Sequence, residues 1–388
     1  MGEALFENLR RGRATRVTTA GPGGTKKSRR KISWDLVRAG CVVLVMLYHS
    51  TSLSVFLHPE LEPRTFEFPY QVGASLLLVV SAYFVCVTIG RGSLLRYWWG
   101  RVARLVPSFL AAVLISYSVL RAFPIEGWFY PLPEDLRANL LMLWHWKPQF
   151  YLFIDGSHWT VPLQLMGFTA AALLYRSWLG HGRRILVVLW TAVLLPVAQW
   201  PLRVADPVDE TYRTVVDGLG MHRWHLFVAG VVIWLWSVKR LSTPHFAALL
   251  GLCMAAQELH NYTRTPEGLL GDTGSSIGVA IGMGVIALVA RSPDMAMPQP
   301  ARRAISWFAG ISYGTFLMHQ AIGYIVLRKL QDVGVDTVTQ TLAMLATGTL
   351  LGWMLTRVVE QPAHKFLMKP FDQRRPDPTR ETKPVGPR

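Results

Sequence analysis

The sequence predicts an all-α polytopic membrane protein of about ten transmembrane helices, with both termini in the cytoplasm. Three observations carry that reading. The 388 residues are 51% apolar and only 16% charged, with a mean hydropathy of +0.27, too apolar and too poor in charge for an ordinary soluble protein. Apolar runs long enough to cross a bilayer recur along the chain, without the period-2 alternation of barrel strands. Lys and Arg are partitioned between the connections. With the N-terminus inside, the inner segments hold 29 of the 40 and the outer segments 10, Arg38 standing apart within the first span. The net charge of +16 is then a topology signal and an affinity for anionic lipid, and nucleic acid is not an expected partner.

Residues 1–31, rich in Gly, Thr, Arg and Lys, have no apolar run before Ser33. They read as a disordered basic cytoplasmic tail and not as a cleavable signal peptide. The membrane domain takes residues 32–368, with spans at 34–56, 70–90, 103–120, 159–176, 184–201, 223–238, 244–260, 273–290, 304–327 and 338–358. The fourth begins after Gly156-Ser157, which suits a helix start, and Trp159 suits the membrane interface. The eighth carries a small-residue face, Gly278 to Gly284, fit for close packing. Residues 369–388, with their Pro and charge content, read as a second disordered cytoplasmic tail. Cys41, Cys86 and Cys253 lie in spans with no metal-type spacing, so packing is their reading and no metal is expected.

Polar groups inside apolar spans are expensive, and they usually face a site or a water-filled cavity. The first span holds Arg38 near its start and His49 beyond it, roughly 16 Å apart along a helix at 1.5 Å per residue. Arg101 and Arg104, spaced i, i+3 at the inner start of the third span, share one helix face. With Arg38 they form an inner basic vestibule, and guanidinium groups match phosphate geometry. Gln164 lies a turn into the fourth span and needs a partner there. Ser312, Tyr313 and His319 make a polar stripe in the ninth, and Glu360-Gln361-Pro362 closes the tenth at the inner face. His222 and His225 take interface positions at the outer start of the sixth.

These residues together resemble the membrane acyltransferase 3 family, which includes bacterial O-acetyltransferases of surface glycans and acylases of macrolide sugars. The resemblance rests on Asp35-Leu36-Val37-Arg38-Ala39 followed by His49, similar to the family's Arg-x10-His motif. It rests also on Arg101-x2-Arg104-x2-Pro107, Trp159-Thr160, Ser312-Tyr313 with Phe316 and His319, and Glu360-Gln361-Pro362, in the family's order from about Ile32 to Met368. Two positions depart: Gln164 stands where the family often carries Glu, and Ser81-Ala82 where it usually has Ser-Gly. The resemblance implies a multi-pass protein of the inner (plasma) membrane. Its implied reaction moves an acyl group, acetyl by default, from cytoplasmic acyl-CoA to a hydroxyl.

The implied catalytic residues are His49, Arg38 and Asp35, with Arg101 and Arg104 binding the donor. Coenzyme A carries several phosphate charges, so a basic inner vestibule is where its head docks. A neutral imidazole at His49 takes the hydroxyl proton. Tyr48, Ser81, Trp159, Gln164, Ser312, Tyr313 and His319 are left to line the cavity or meet the acceptor. Acyl-CoA is a co-substrate and no permanently bound cofactor is expected. The acceptor class stays open among glycan, lipid-linked sugar and secondary metabolite. A transporter or exporter is the alternative reading of ten helices with intramembrane charge, though no duplicated half is visible.

Overall fold

The computed structural model describes residues 31–148, 150–205, 209–265 and 268–372. The chain is helical almost throughout. The long helices are α1 (Ile32–Leu57), α2 (Gly73–Thr88), α3 (Leu94–Ala122), α4 (Thr160–Arg176), α5 (Arg184–Ala198), α6 (Trp224–Ser237), α7 (Thr243–His260), α8 (Thr273–Arg291), α9 (Gln299–Met318), α10 (Ala321–Asp332) and α11 (Thr337–Phe371). A two-stranded antiparallel hairpin, β1 (Thr263–Thr265) with β2 (Gly268–Leu270), joins α7 to α8. Among the described residues, α1, α3, α8 and α11 are long and apolar enough to cross a membrane, and α2 and α5 are shorter apolar helices. Each predicted span falls on one of these helices, except that 304–327 is two helices, α9 and α10, parted at His319 and Gln320. The predicted tails at 1–31 and 369–388 lie outside the described residues, apart from Lys31 and the stretch 369–372, which continues the last helix.

Local chemistry sets the helix starts. Ser93 accepts the Arg96 N–H to open α3, Asp272 accepts the Ser275 N–H to open α8, and Asp336 accepts the Val338 and Thr339 N–H groups to open α11. In α1 the helix widens into a single π-turn at His49–Leu53. The Ser50 and Thr51 hydroxyls donate to the Leu47 carbonyl and the Ser54 hydroxyl to the Ser50 carbonyl, a back-bonding pattern that loosens helices.

Packing builds two apolar cores side by side. One gathers α2 and α5 to α8 around Val79, Val232 and Leu249; the other gathers α3, α9, α10 and α11 around Phe109, Val113 and Leu317. α1, α2 and α4 supply residues to both. The crossings are close. Any Cβ at Gly230 of α6 would collide with the Val79 carbonyl of α2, and any at Gly352 of α11 with the backbone of Thr315 in α9.

Hydrogen bonds across the bundle sort the connections into two ends. At one end Ser33 of α1 meets Asp294 beyond α8, and Arg96 and Trp99 of α3 donate to the Phe371 and Leu367 carbonyls of α11. At the other, Gln71 meets Ser275, Arg64 meets Gln340 and Trp200 meets Leu259. Lys31 and Phe371 therefore lie at the same end.

Candidate active site

Where the two cores meet, α1, α2, α3, α4 and α9 leave an open cavity with about 760 Å³ of empty space. Seven of the predicted residues line it: Arg38, Ser81, Arg101, Arg104, Gln164, Ser312 and Tyr313. Phe84, Phe168 and Phe316 supply much of its apolar wall.

The arginines are held in different ways. Arg101 donates through Nη2 to Thr88 Oγ1 (2.6 Å) and the Phe84 carbonyl (3.4 Å), with the Tyr97 and Phe168 rings 5.4 and 5.2 Å from its guanidinium carbon. Arg104 donates through Nε to Glu360 Oε1 (3.1 Å), and Thr356 donates to the other carboxylate oxygen (3.2 Å). The Arg38 guanidinium lies 5.8 Å from the centre of the Phe84 ring. Three guanidinium groups lining one cavity suit it to an anion. Tyr313 donates its hydroxyl to the Leu105 carbonyl (2.9 Å) and Ser312 to that of Ala309 (3.0 Å), so both are anchored to backbone.

His49 and His319 do not line this cavity. They form a pair next to it. His49 Nδ1 and His319 Nε2 are 2.8 Å apart, the rings stack at 4.8 Å, and exposure is only 5% for His49 and none for His319. His319, expected to line the cavity, makes a direct bond with His49. The two features share Phe316, whose side chain lines the cavity while its carbonyl accepts from His319 Nδ1 (2.9 Å).

The remaining predicted residues fall outside both groups or at their edge. Tyr48 sits beside the pair, its ring 5.4 Å from that of His49. Asp35 is buried and accepts the Ser306 hydroxyl (3.0 Å), tying α1 to α9. Trp159 stacks under Arg223, 5.3 Å from its guanidinium carbon. Sequence reasoning missed Asp155, a fully buried carboxylate in the loop before α4. It accepts the Ser157 N–H and hydroxyl (2.9 and 2.6 Å) and the Ala321 N–H that opens α10 (3.0 Å). It also left Glu360 as a helix end. The signal for Glu360 lay in the rule that an inward arginine needs a partner.

A second polar group lies at the opposite end of the bundle from Lys31. Asp217 sits within 3.3 Å of Arg203 Nε, 3.6 Å of Arg213 Nε and 3.4 Å of His222 Nδ1. Burial, then the Arg203 and Arg223 charges, hold His222 well below the ordinary histidine range. His225, expected at the interface, is buried and bonded to Gln257 (2.8 Å).

No curated protein and no solved structure matches the chain. A cavity lined by three arginines, one of them paired with Glu360, beside a buried histidine on α1, agrees with the family that the sequence matches. Residues 31–357 fit the model described as Acyltransferase domain, and the chain belongs to the acyltransferase 3 family.

Proposed function

We propose that this membrane acyltransferase is an O-acyltransferase of the plasma membrane. It takes acyl groups, acetyl first among them, from cytoplasmic acyl-CoA and passes them to a hydroxyl of a carbohydrate or glycosylated metabolite. The observation that carries the reading is the arrangement of Arg38, Arg101 and Arg104 around one cavity whose wall, Phe316, also binds His319 of the histidine pair. The arginines hold the phosphates of the donor, and its pantetheine arm brings the thioester toward α1. His49 removes the hydroxyl proton as the oxygen attacks the thioester carbon. The carbon–sulfur bond then breaks, and the proton passes from His49 to the departing sulfur, so the products are an ester and free CoA. The chain ends face the cytoplasm, which supplies the donor to the basic end of the bundle.

Inverted membrane vesicles from a producing strain, supplied with radiolabelled acetyl-CoA, test this directly, because their cytoplasmic face is outward. Label should move to a product other than CoA, and His49→Ala and His49→Gln should each lower the rate by about 10²–10⁴-fold. Normal transfer by His49→Gln removes the base from the mechanism, since an amide cannot take the proton.

A further inference from the structure

The contacts of the histidine pair fix where its protons sit, once His49 is read as the base as above. His319 Nδ1 faces the Phe316 carbonyl, which only accepts, so this nitrogen carries a proton (2.9 Å). In a neutral ring His319 Nε2 is then bare. It lies 2.8 Å from His49 Nδ1, so His49 Nδ1 is the donor and His49 Nε2 carries the lone pair. Among the described residues, no protein donor satisfies that nitrogen.

The turn that presents His319 is built to stay in place. His319 and Gln320 part α9 from α10 with no proline or glycine at the break. Asp155 accepts the Ala321 N–H just beyond it (3.0 Å). Gly348 of α11 packs so closely that a Cβ there would come within 2.7 Å of His319 Cβ. Gly156 approaches the Gln320 amide in the same way, at 2.8 Å. Among the described residues, Tyr48 on α1 and Asp155 and His158 before α4 are titratable side chains beside the pair, and Tyr324 on α10 lies near Asp155 and Tyr48.

We infer that His319 is a positioning residue for transfer. It locks His49 in the Nδ1–H tautomer, so that Nε2 is the basic nitrogen. It also accepts the hydrogen bond that strengthens as His49 becomes an imidazolium. His319 gains and loses no proton in the cycle: the acceptor proton enters at His49 Nε2 and leaves from there to the sulfur of CoA.

The test compares an acceptor with an apolar side chain of similar size. His319→Gln places an amide oxygen where Nε2 stood, whereas His319→Leu offers nothing to His49 Nδ1–H. In the vesicle assay with radiolabelled acetyl-CoA, His319→Leu should lower kcat by about 100-fold, within the range of general base catalysis, with the apparent KM for acetyl-CoA unchanged. His319→Gln should recover to within roughly tenfold of the unmodified chain. A structural role predicts no such split between variants of equal abundance and equal melting temperature. If His319→Leu does not accumulate, His319→Met takes its place, being unbranched and a poor acceptor. Leu or Met retaining full kcat overturns the inference, as does Gln being no better than either. If instead the unmodified chain transfers nothing, or His49→Ala stays active, the functional reading fails and takes this inference with it.

Discussion

Arg104 illustrates how a single residue joins structure to substrate. Glu360 neutralises it on one side, while 43% of its side chain stays exposed for an anion on the other. Arg101 is more enclosed, its Nη2 committed to Thr88 and Phe84, so its substitution should disturb folding as well as binding. Arg38→Ala and Arg104→Ala should raise the KM for acyl-CoA by an amount matching about 1.5–3 kcal/mol per lost charge-assisted contact, with kcat less affected. Arg→Lys should recover only part, because an ammonium lacks the planar fork. Unchanged KM in both alanine variants would remove the donor clamp. The sequence made the arginines legible because charge in an apolar run is conspicuous. It concealed the pairing of His49 with His319, since 270 residues separate them and only the fold brings α1 against α9.

At the level of elements, hydropathy was enough to find the long apolar helices but not short ones such as Pro133–Leu140 and Glu210–Gly218, and tertiary contacts set the interruptions. The break at His319 and Gln320 has no proline or glycine to announce it; Asp155, from another segment, holds it open. The π-turn at His49 had a faint signal in Ser50, Thr51 and Ser54, whose hydroxyls donate back to backbone carbonyls. The β1–β2 hairpin had none that hydropathy could detect. The turn before α6 carries its own pH dependence. His222 is held below its ordinary value, so between that value and its folded value the unfolded chain binds a proton that the folded chain does not. Its stabilising effect is complete above about pH 6.5 and falls as the pH drops below, by at most about 1.4 kcal/mol per pH unit. The melting temperature in detergent should therefore decline from about pH 7.5 to about pH 5.5. His222→Gln should flatten that decline, and an unchanged slope would place the effect elsewhere.

For the whole molecule, the basic-residue partition and the cross-bundle hydrogen bonds agree that both described chain ends lie at one end of the bundle. Cysteine labelling decides which side that is. The native cysteines make a quiet background, since Cys41 and Cys253 are buried and Cys86 half-buried. Glu126→Cys, exposed between α3 and α4, should react with an impermeant thiol reagent in intact cells, and Ser242→Cys, exposed before α7, should not. The reverse pattern would turn the basic cavity away from cytoplasmic CoA. The central claim, acyl transfer that depends on His49, has its most direct test in mass spectrometry of extracellular glycans and small metabolites from three strains: a deletion, the deletion complemented with the unmodified chain, and the deletion complemented with His49→Gln. The expected result is a species heavier by one acyl group in the complemented strain alone. Its presence at normal abundance in the His49→Gln strain, or in the deletion, would contradict the claim.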